Sequence, residues 1–255
     1  MATNSILHKL ITDPKLSASL LKSRLFYDLS PEQASQIAGT GILRKFERGM
    51  RIINQGDQPP GVFIILDGRI KVFRCTEEGE EIITRLLGPG ESILENVVFY
   101  GKPSPVSAQT ESDVTMLALT SSQLKDCIAK IPQFAINIMG VLAERTNEMM
   151  YQLELVTIHP AVERVAHFLL RVMLESHAPR QEFSLPYEKA EIANHLGLTP
   201  ETFSRCLKVL AERGIHVKGK HVKLDNKDVL CPNCDPVHAH KCKDRDKVRC
   251  RMFGL

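Results

Sequence analysis

The chain has 255 residues, of which 43% are hydrophobic, so it can bury more than one core and is not a disordered polypeptide. Its formal net charge of +3 neither requires nor excludes a nucleic-acid partner unless the basic residues cluster. The first residues, MATNSILHKL, lack the apolar stretch of a signal peptide, and no apolar run approaches the roughly 18 residues of a membrane helix. We therefore expect a cytoplasmic protein without membrane association.

Glycines and short β-branched runs alternate in the N-terminal half of the chain. From about Phe46 to Leu119, glycine turns recur roughly every ten residues and separate segments such as VFIIL, RIKVF and EIITRLL. This spacing predicts an antiparallel sandwich or barrel, which we place at residues 28–131. In RIKVFR, the alternation of apolar and polar residues breaks at Phe73, so we predict the strands but not their register. In the preceding segment, residues 1–27, we expect a helix from about Ile6 to Leu25 that is broken by Pro14.

A long helix is predicted for residues 132–159. Along it, mostly apolar side chains recur at alternating steps of three and four residues, the a/d repeat of a coiled coil. They form a narrow stripe with polar residues on both sides. Such a stripe either packs within its own domain or joins two protomers, and the polar flanks favour a homodimer. His159 and Pro160 should end the helix. The predicted dimerisation residues are Met139, Leu142, Thr146, Met149, Leu153 and Val156.

The segment YEKAEIANHLGLTPETFSRCLKVLAER predicts a helix, a tight turn and a second helix. Gly197 supplies the left-handed residue that ends the first helix, while Thr199 and Pro200 form the N-cap and first residue of the second. This arrangement is a helix-turn-helix.

The second helix has an apolar and a polar face. Phe203, Leu207 and Leu210 are spaced to face the core. On the other face, Arg can bind guanine O6 and N7 with two hydrogen bonds, Glu can accept from cytosine N4, and Ser can reach a base or phosphate. The alternative is an ordinary solvated face. The predicted DNA contacts of this helix are Thr199, Glu201, Ser204, Arg205 and Lys208.

The following segment, IHVKGKHVKL, predicts two strands joined by the two-residue turn Gly219-Lys220. A hairpin of this kind beside a helix-turn-helix is typical of the wing of a DNA-binding domain, and it argues against the ordinary solvated face. We place this domain at residues 160–230, add Lys218 and Lys220 to the predicted contacts, and expect double-stranded DNA as the partner.

Together these parts resemble the CRP/FNR superfamily of bacterial regulators over residues 28–230. The resemblance is carried by IINQGDQPPGVFIILDGRIKVFR, LLGPGESILENVVF and GLTPETFSRCLKVL. It implies an α+β chain with an N-terminal antiparallel β-roll of the cyclic-nucleotide-binding type, a long dimerisation helix and a C-terminal winged helix-turn-helix. The expected protein is a homodimeric transcription regulator that contacts RNA polymerase and is not an enzyme.

The second helix resembles the FNR branch, whose pattern of Glu, two residues and Ser-Arg is met by Glu201, Ser204 and Arg205. This likeness implies palindromic sites with half-sites near TTGA, with Arg205 on a guanine and Glu201 on the opposing cytosine. A two-fold dimer would read half-sites one helical turn apart.

For members that bind cyclic nucleotides, the resemblance implies a Gly-Glu and an Arg-Ser pair that hold the ribose and the phosphate. The aligned residues here are Leu94-Glu95 and Val106-Ser107, the candidate effector pocket. Without the arginine, a buried phosphate would lack its countercharge at a cost of roughly several kcal/mol, which argues against cyclic AMP. The predicted roll contains no histidine, so a haem would depend on His8 or a cysteine.

Residues 231–255 hold four of the seven cysteines, spaced Cys231-x2-Cys234-x7-Cys242-x7-Cys250. Four thiolates suit a [4Fe-4S] cluster or a tetrahedral Zn²⁺ ion, and a thiol-disulfide switch is a third reading. The single Cys-x2-Cys knuckle and the surrounding basic residues favour the anionic cluster, with zinc as the alternative. His238 and His240 lie between these cysteines and are alternative ligands that would replace one of them. The N-terminal cysteine cluster of oxygen-sensing FNR proteins is missing, because Cys75 is the first cysteine.

The predicted function is therefore a DNA-binding regulator with redox, oxygen or nitric oxide input through the C-terminal cysteines. A rival has the same architecture, a small-molecule or haem effector in the roll and a structural zinc in the tail. Cys75, Cys127 and Cys206 are isolated, and we expect each to be a small buried side chain. A Cys75 or Cys127 nucleophile lacks a visible base or oxyanion loop, which disfavours an enzyme. A scaffold protein would not need the polar face of the second helix.

Overall fold

The computed structural model describes residues 13–176, 181–226 and 228–234. It divides into two compact units, Met1–Met149 and Met150–Leu255. Up to the end of the long helix, the elements are α1 (Pro14–Lys22), a 3-10 turn (Arg24–Phe26), α2 (Pro31–Thr40), β1 (Ile42–Phe46), β2 (Arg51–Ile53), β3 (Gly61–Asp67), β4 (Ile70–Cys75), β5 (Glu81–Leu87), β6 (Ser92–Ile93), α3 (Glu95–Tyr100), β7 (Ser107–Thr110), β8 (Val114–Thr120), α4 (Ser121–Lys130) and α5 (Pro132–Ile158). The remaining elements are α6 (Ala161–Glu175), β9 (Glu182–Ser184), α7 (Lys189–His195), α8 (Pro200–Glu212), β10 (Ile215–Lys218), β11 (His221–Leu224) and a 3-10 turn (Cys231–Asn233).

The first unit is a roll of two four-stranded antiparallel sheets, in the orders β1-β8-β3-β6 and β2-β7-β4-β5. Side chains from both sheets, such as Phe63, Val72 and Met116, share one core cluster. The opposite face of β3 joins a second cluster formed with helices, through Val62 and Ile64. Because β3 is buried on both faces, its sequence is continuously apolar instead of alternating. The predicted fold class, an antiparallel roll, a long helix and a winged helix-turn-helix, is confirmed.

The break in alternation at Phe73 corresponds to a register shift in the sheet. Strand β4 pairs Val72 with Arg85 and then Phe73 with Ile83, so one residue of β5 is skipped. Both Val72 and Phe73 are buried. Val72 joins the inter-sheet core cluster, but Phe73 does not belong to it and is covered instead by Arg51 and Lys71, whose charged groups lie 4.4 and 5.2 Å from its ring centroid. A buried side chain outside the core cluster explains why period-two counting fails here.

Helix α5 presents two different faces. Phe134, Ile138 and Val141 are buried in the helical core cluster of the first unit. The predicted dimerisation stripe lies on the surface, since Met139, Met149, Leu153 and Val156 are each more than half exposed. Leu142 is half-buried and Thr146 is exposed, with its hydroxyl donating to Leu142 O at 3.0 Å.

Helix α5 ends at Ile158 and α6 begins at Ala161, so the predicted stop at His159-Pro160 is confirmed. Among the described helices, none alone is long and apolar enough to span a membrane. Only α4 and α5 together, bent by 119° where they meet, reach that length and composition.

Pro14 is the first residue of α1, where its missing N–H is no loss, and the Asp13 side chain accepts hydrogen bonds from the N–H groups of Lys15 and Leu16. One prediction in the N-terminal half is wrong: Cys75 is exposed, because it ends β4 beyond the buried part of that strand. Cys127 and Cys206 are buried as expected. Residues 1–12, on which the rest of the predicted helix falls, lie outside the described residues.

Replacing Gly68 with alanine should destabilise the roll. Gly68 connects β3 and β4 with φ of +87°, and an added Cβ would lie 2.2 Å from Asp113 O. Gly79 has a similar φ of +84° but nothing within 4 Å of its Cβ position. We expect Gly68→Ala to lower the free energy of unfolding by about 3 kcal/mol and Gly79→Ala by about 1 kcal/mol. Urea unfolding followed by circular dichroism measures both, and equal losses would contradict the steric argument.

Candidate nucleic-acid interface

Helices α7 and α8 form the predicted helix-turn-helix. Gly197 adopts a φ of +64°, and the Leu198 N–H donates to Ala193 O at 2.9 Å, which closes the end of α7. Thr199 is the N-cap of α8, with its Oγ1 accepting from the Thr202 N–H at 3.2 Å, and Pro200 is the first helical residue. The cap and the glycine fix the path of the chain between the helices.

The buried face of α8 differs from the predicted one at a single position. Phe203 and Leu210 are buried, but Leu207 is only half-buried because it lies beside a surface cleft. Cys206 takes the inward position, at spacings of three and four from Phe203 and Leu210. Burial raises the pKa of the Cys206 thiol, which therefore remains a neutral core group.

The opposite face of α8 is exposed and polar. Its hydrogen bonds are local, including a contact of 3.4 Å from Arg205 Nη2 to Thr202 Oγ1. A hydrogen bond from its own backbone N–H, aided by the Thr199 side chain, lowers the pKa of Glu201, so this carboxylate is an ionised acceptor. The exposed residues on this face are Glu201, Ser204, Arg205 and Lys208.

Strands β10 and β11 form the predicted hairpin next to α8, and β9 pairs with β11 as a third strand. Gly219 supplies the turn with a φ of +58°. Lys218 and Lys220 are exposed at this turn, and Lys220 Nζ lies 2.7 Å from Glu188 Oε1. The hairpin therefore carries positive charge on its exposed tip.

A cleft of about 370 Å³ lies between α8 and the hairpin of β10 and β11. Lysines enter it from α7, α8 and β10, so a polyanion placed along α8 would meet positive charge on this side. Lys189 and His216 were missed by sequence reasoning, which does not show how closely the first turn of α7 approaches β10. The lining residues are Lys189, Ser204, Leu207, Lys208, Ala211, His216, Val217 and Lys218.

Apolar side chains fill part of the candidate effector region in the roll. Leu94 is buried in the inter-sheet cluster, and Val106 packs against the same cluster. Leu94 has a φ of +71°, a conformation that costs a non-glycine residue about 1–3 kcal/mol. Ser107 is buried, and its Oγ accepts a hydrogen bond from the Gln55 N–H at 2.9 Å.

Glu95 is fully buried and forms an ion pair with Arg145 of α5, whose Nη2 donates to Glu95 Oε1 and to Ser92 O. Ser92 Oγ also donates to Glu95 Oε1, at 2.9 Å. Sequence reasoning placed Arg145 among the polar flanks of the stripe and missed this role. The available signal was its spacing from Phe134, Ile138 and Val141, which continues the inward face of α5.

Cys231 and Cys234 lie together on the 3-10 turn that follows the hairpin. Both are half-buried, and the Cys234 N–H donates to Cys231 O at 3.0 Å. The turn packs against α6, next to the fully buried Leu230. Within the described part of the chain, no three His, Cys, Asp or Glu side chains are grouped to hold a metal ion. The other predicted ligands, Cys242, Cys250, His238 and His240, lie outside the described residues.

Comparison with known proteins identifies both units. The cyclic nucleotide-binding domain family matches residues 43–130, and the Crp-like helix-turn-helix domain family matches residues 163–232. The chain is 31% identical over 193 residues to the cyclic AMP receptor protein of Thermus thermophilus, covering 76% of this chain and 88% of that protein. The chain belongs to the CRP/FNR family of DNA-binding transcription regulators.

Two further proteins are similar to this chain. The fumarate and nitrate reduction regulatory protein of Escherichia coli is 28% identical over 192 residues, which cover 73% of this chain and 76% of that protein. The structure of FixK2 from Bradyrhizobium japonicum has a TM-score of 0.68 at 24% identity, covering 76% of this chain and 98% of that one. At this identity, the FixK2 structure supports the fold alone.

Proposed function

We propose that this CRP/FNR regulator reads TTGA-type palindromic DNA as a homodimer and receives a redox, oxygen or nitric oxide signal through a [4Fe-4S] cluster on its C-terminal cysteines. The observation that carries the DNA-binding part is the exposed Glu201, Ser204 and Arg205 face of α8 beside a lysine-bearing hairpin. RNA polymerase is the expected partner in transcription.

Each exposed side chain of α8 has a chemical role in this proposal. Arg205 offers the planar pair of donors that fits guanine O6 and N7. Glu201, ionised because its pKa is lowered, accepts from cytosine N4 on the opposing strand. Ser204 reaches a base or a phosphate from the same face. Lys208 and the hairpin lysines 218 and 220 contact phosphates, which positions the helix without adding sequence information.

The exposed stripe of α5 supports the homodimer. Met149 and Leu153 stand one turn apart with most of their side-chain surface in solvent, an arrangement that an a/d seam buries between two helices. A two-fold axis along this seam would present two copies of α8 to a palindrome.

Cyclic AMP is disfavoured as the effector here, although one relative is named for it. Val106 stands where the resemblance implies an arginine, and it packs with the buried Leu94 on the apolar interior of the roll. A cyclic phosphate at this place would lack the arginine that the resemblance implies.

The described cysteine pair suits one edge of a metal or cluster site, because a Cys-x2-Cys turn brings two soft ligands together. Cys231, Cys234, Cys242 and Cys250 would hold the cluster. When bound, the cluster supplies a centre that reacts with oxygen or nitric oxide. The turn packs on α6, and α6 also packs on α8. A movement of the turn would therefore be transmitted through α6 to α8, the helix proposed to contact DNA.

Changing Arg205 to alanine should abolish discrimination at one guanine of the half-site. We expect affinity for the TTGA palindrome to fall roughly 10- to 100-fold, with little change on a probe whose guanine is replaced. Fluorescence anisotropy at fixed salt measures both. Arg213→Ala is the matched control, since this exposed arginine is the C-cap of α8. An equal loss on every sequence would refute the base contact.

Changing Leu153 to glutamate should convert the dimer to monomers without unfolding the chain, because the side chain is 69% exposed in the single protomer. Analytical ultracentrifugation reports the mass. Leu21→Glu on α1, 65% exposed but off the stripe, should remain dimeric. A dimeric Leu153→Glu protein would exclude this seam.

Anaerobic purification should yield about four iron and four sulfide per chain if the cluster is present. Cys231→Ser and Cys234→Ser should each reduce both contents, since each removes a ligand. Cys75→Ser, which changes an exposed cysteine outside the tail, should retain them. One zinc and no iron would instead support a structural zinc site.

A further inference from the structure

The junction between α5 and α6 carries a cluster of titratable side chains that the proposed function does not use. Tyr151 comes from α5, His159 from the break between the two helices, and Glu163 and His167 from α6. All four side chains are half-buried, and all four residues lie in the second unit. A cluster with two imidazole rings is expected to respond to pH, because histidine ordinarily titrates between pH 5 and 8.

Side-chain contacts connect the two helices at this junction. Pro160 has no N–H, so the hydrogen-bond ladder of α5 cannot continue into α6. The Tyr151 hydroxyl lies 2.9 Å from Nδ1 of His167, which links the last turns of α5 to α6. The rings of His159 and His167 meet edge to face, with their centroids 5.2 Å apart. The angle between α6 and the end of α5 therefore depends on these contacts.

The net charge of the cluster depends on how many of its rings are protonated. Glu163 Oε2 lies 2.7 Å from His159 Nδ1, so a proton on this ring is paired with a carboxylate. A second proton, on His167, would place two positive rings 5.2 Å apart in half-buried surroundings, where water screens their repulsion only in part. Protonation of both rings should therefore push His159 and His167 apart and loosen the junction.

Other charged side chains near the junction have contacts of their own. Arg164 Nη1 donates to Leu196 O at 3.0 Å, and the Arg171 guanidinium lies over the Phe168 ring. Helix α8 packs on α6 and contributes the thiol of Cys206, which stays neutral because burial raises its pKa. The charged and titratable groups on the elements around the two rings are Tyr151 and Glu154 on α5, Glu163, Arg164, Arg171 and Glu175 on α6, Cys206 on α8, and Cys231 and Cys234 on the 3-10 turn. Tyr151 and Glu163 contact the rings directly.

We propose that His159 and His167 make the junction of α5 and α6 a pH-sensitive joint, which is held together at neutral pH and loosened in acid by protonation of both rings. The joint is an input separate from the cysteine tail, and its readout rests on the proposed reading of palindromic DNA by a homodimer. Both copies of α8 have to reach their half-sites together, so a palindrome is bound best when both joints are fixed. A single half-site needs one α8 and lacks this restriction. Acid should therefore weaken binding to the palindrome more than binding to the half-site.

The test compares a TTGA palindrome with a single half-site by fluorescence anisotropy of the full chain, at fixed salt, between about pH 7.5 and about pH 5.5. For the wild type, we expect the ratio of the two affinities to fall about tenfold as the pH decreases. Both probes use the same contacts of α8, so titration of other groups in those contacts cancels in the ratio. His167→Gln keeps a polar group beside Tyr151 but cannot become charged, and it should hold the ratio constant to within about twofold.

Two further variants and a control complete the test. His159→Gln removes the other ring and should also give a ratio that does not depend on pH, so the result does not require one particular variant to fold. Tyr151→Phe breaks the link between the helices at every pH and should lower the ratio already at neutral pH. The matched control is His221→Gln, which changes an exposed histidine of β11 that lies 4.0 Å from Glu182. Its ratio should fall with pH as in the wild type.

The joint is overturned if a folded His167→Gln or His159→Gln protein keeps the wild-type fall. It is also overturned if His221→Gln abolishes the fall, since the response would then arise in the hairpin. A wild-type chain that binds the palindrome no more tightly than the half-site at neutral pH overturns the proposed dimeric reading, and the joint with it. A preference for the palindrome that acid leaves unchanged overturns the joint alone.

Discussion

One face of helix α5 packs in the core of the first unit, and an adjacent face is apolar but exposed. A single helical sequence has to provide both faces. Phe134 and Ile138 bury one face in the helical cluster that covers the sheet of β3 and β8. Burying a side chain of this size contributes about 1.5–3 kcal/mol, so this face stabilises the unit. The adjacent face leaves Met149 and Leu153 in solvent, where they add nothing to a single protomer. In the proposed dimer, the partner helix would cover them.

The ion pair between Arg145 and Glu95 lies on the inward face of the same helix. A buried ion pair is weak support for stability, because desolvation of both charges offsets their attraction. Its value lies in geometry, since a guanidinium bound to a carboxylate and a carbonyl admits few orientations. The roll that holds Glu95 is correspondingly apolar inside, with Leu94 and Val106 packed on its core cluster.

In the second unit, α6 packs on two elements of the proposed function. One is α8, the helix proposed to contact DNA, and the other is the turn with Cys231 and Cys234, proposed as part of the sensor. Thr199 and Gly197 orient the start of α8 through local hydrogen bonds and backbone conformation, and the buried Phe203 and Leu210 hold it against the rest of the unit. Regulation through α6 would therefore shift a preformed reading helix and would not have to fold it.

Local interactions explain which features were predictable from the sequence. The cap at Thr199, the turn at Gly219 and the stop before Pro160 depend on neighbours within about four residues, so the amino-acid order alone determines them. The seam of α5 follows from helical periodicity in the same way. Tertiary structure decided the rest: Leu207 faces a cleft, and Arg145 finds Glu95 on a distant segment. These outcomes depend on which elements pack together, and no spacing within one helix contains that information.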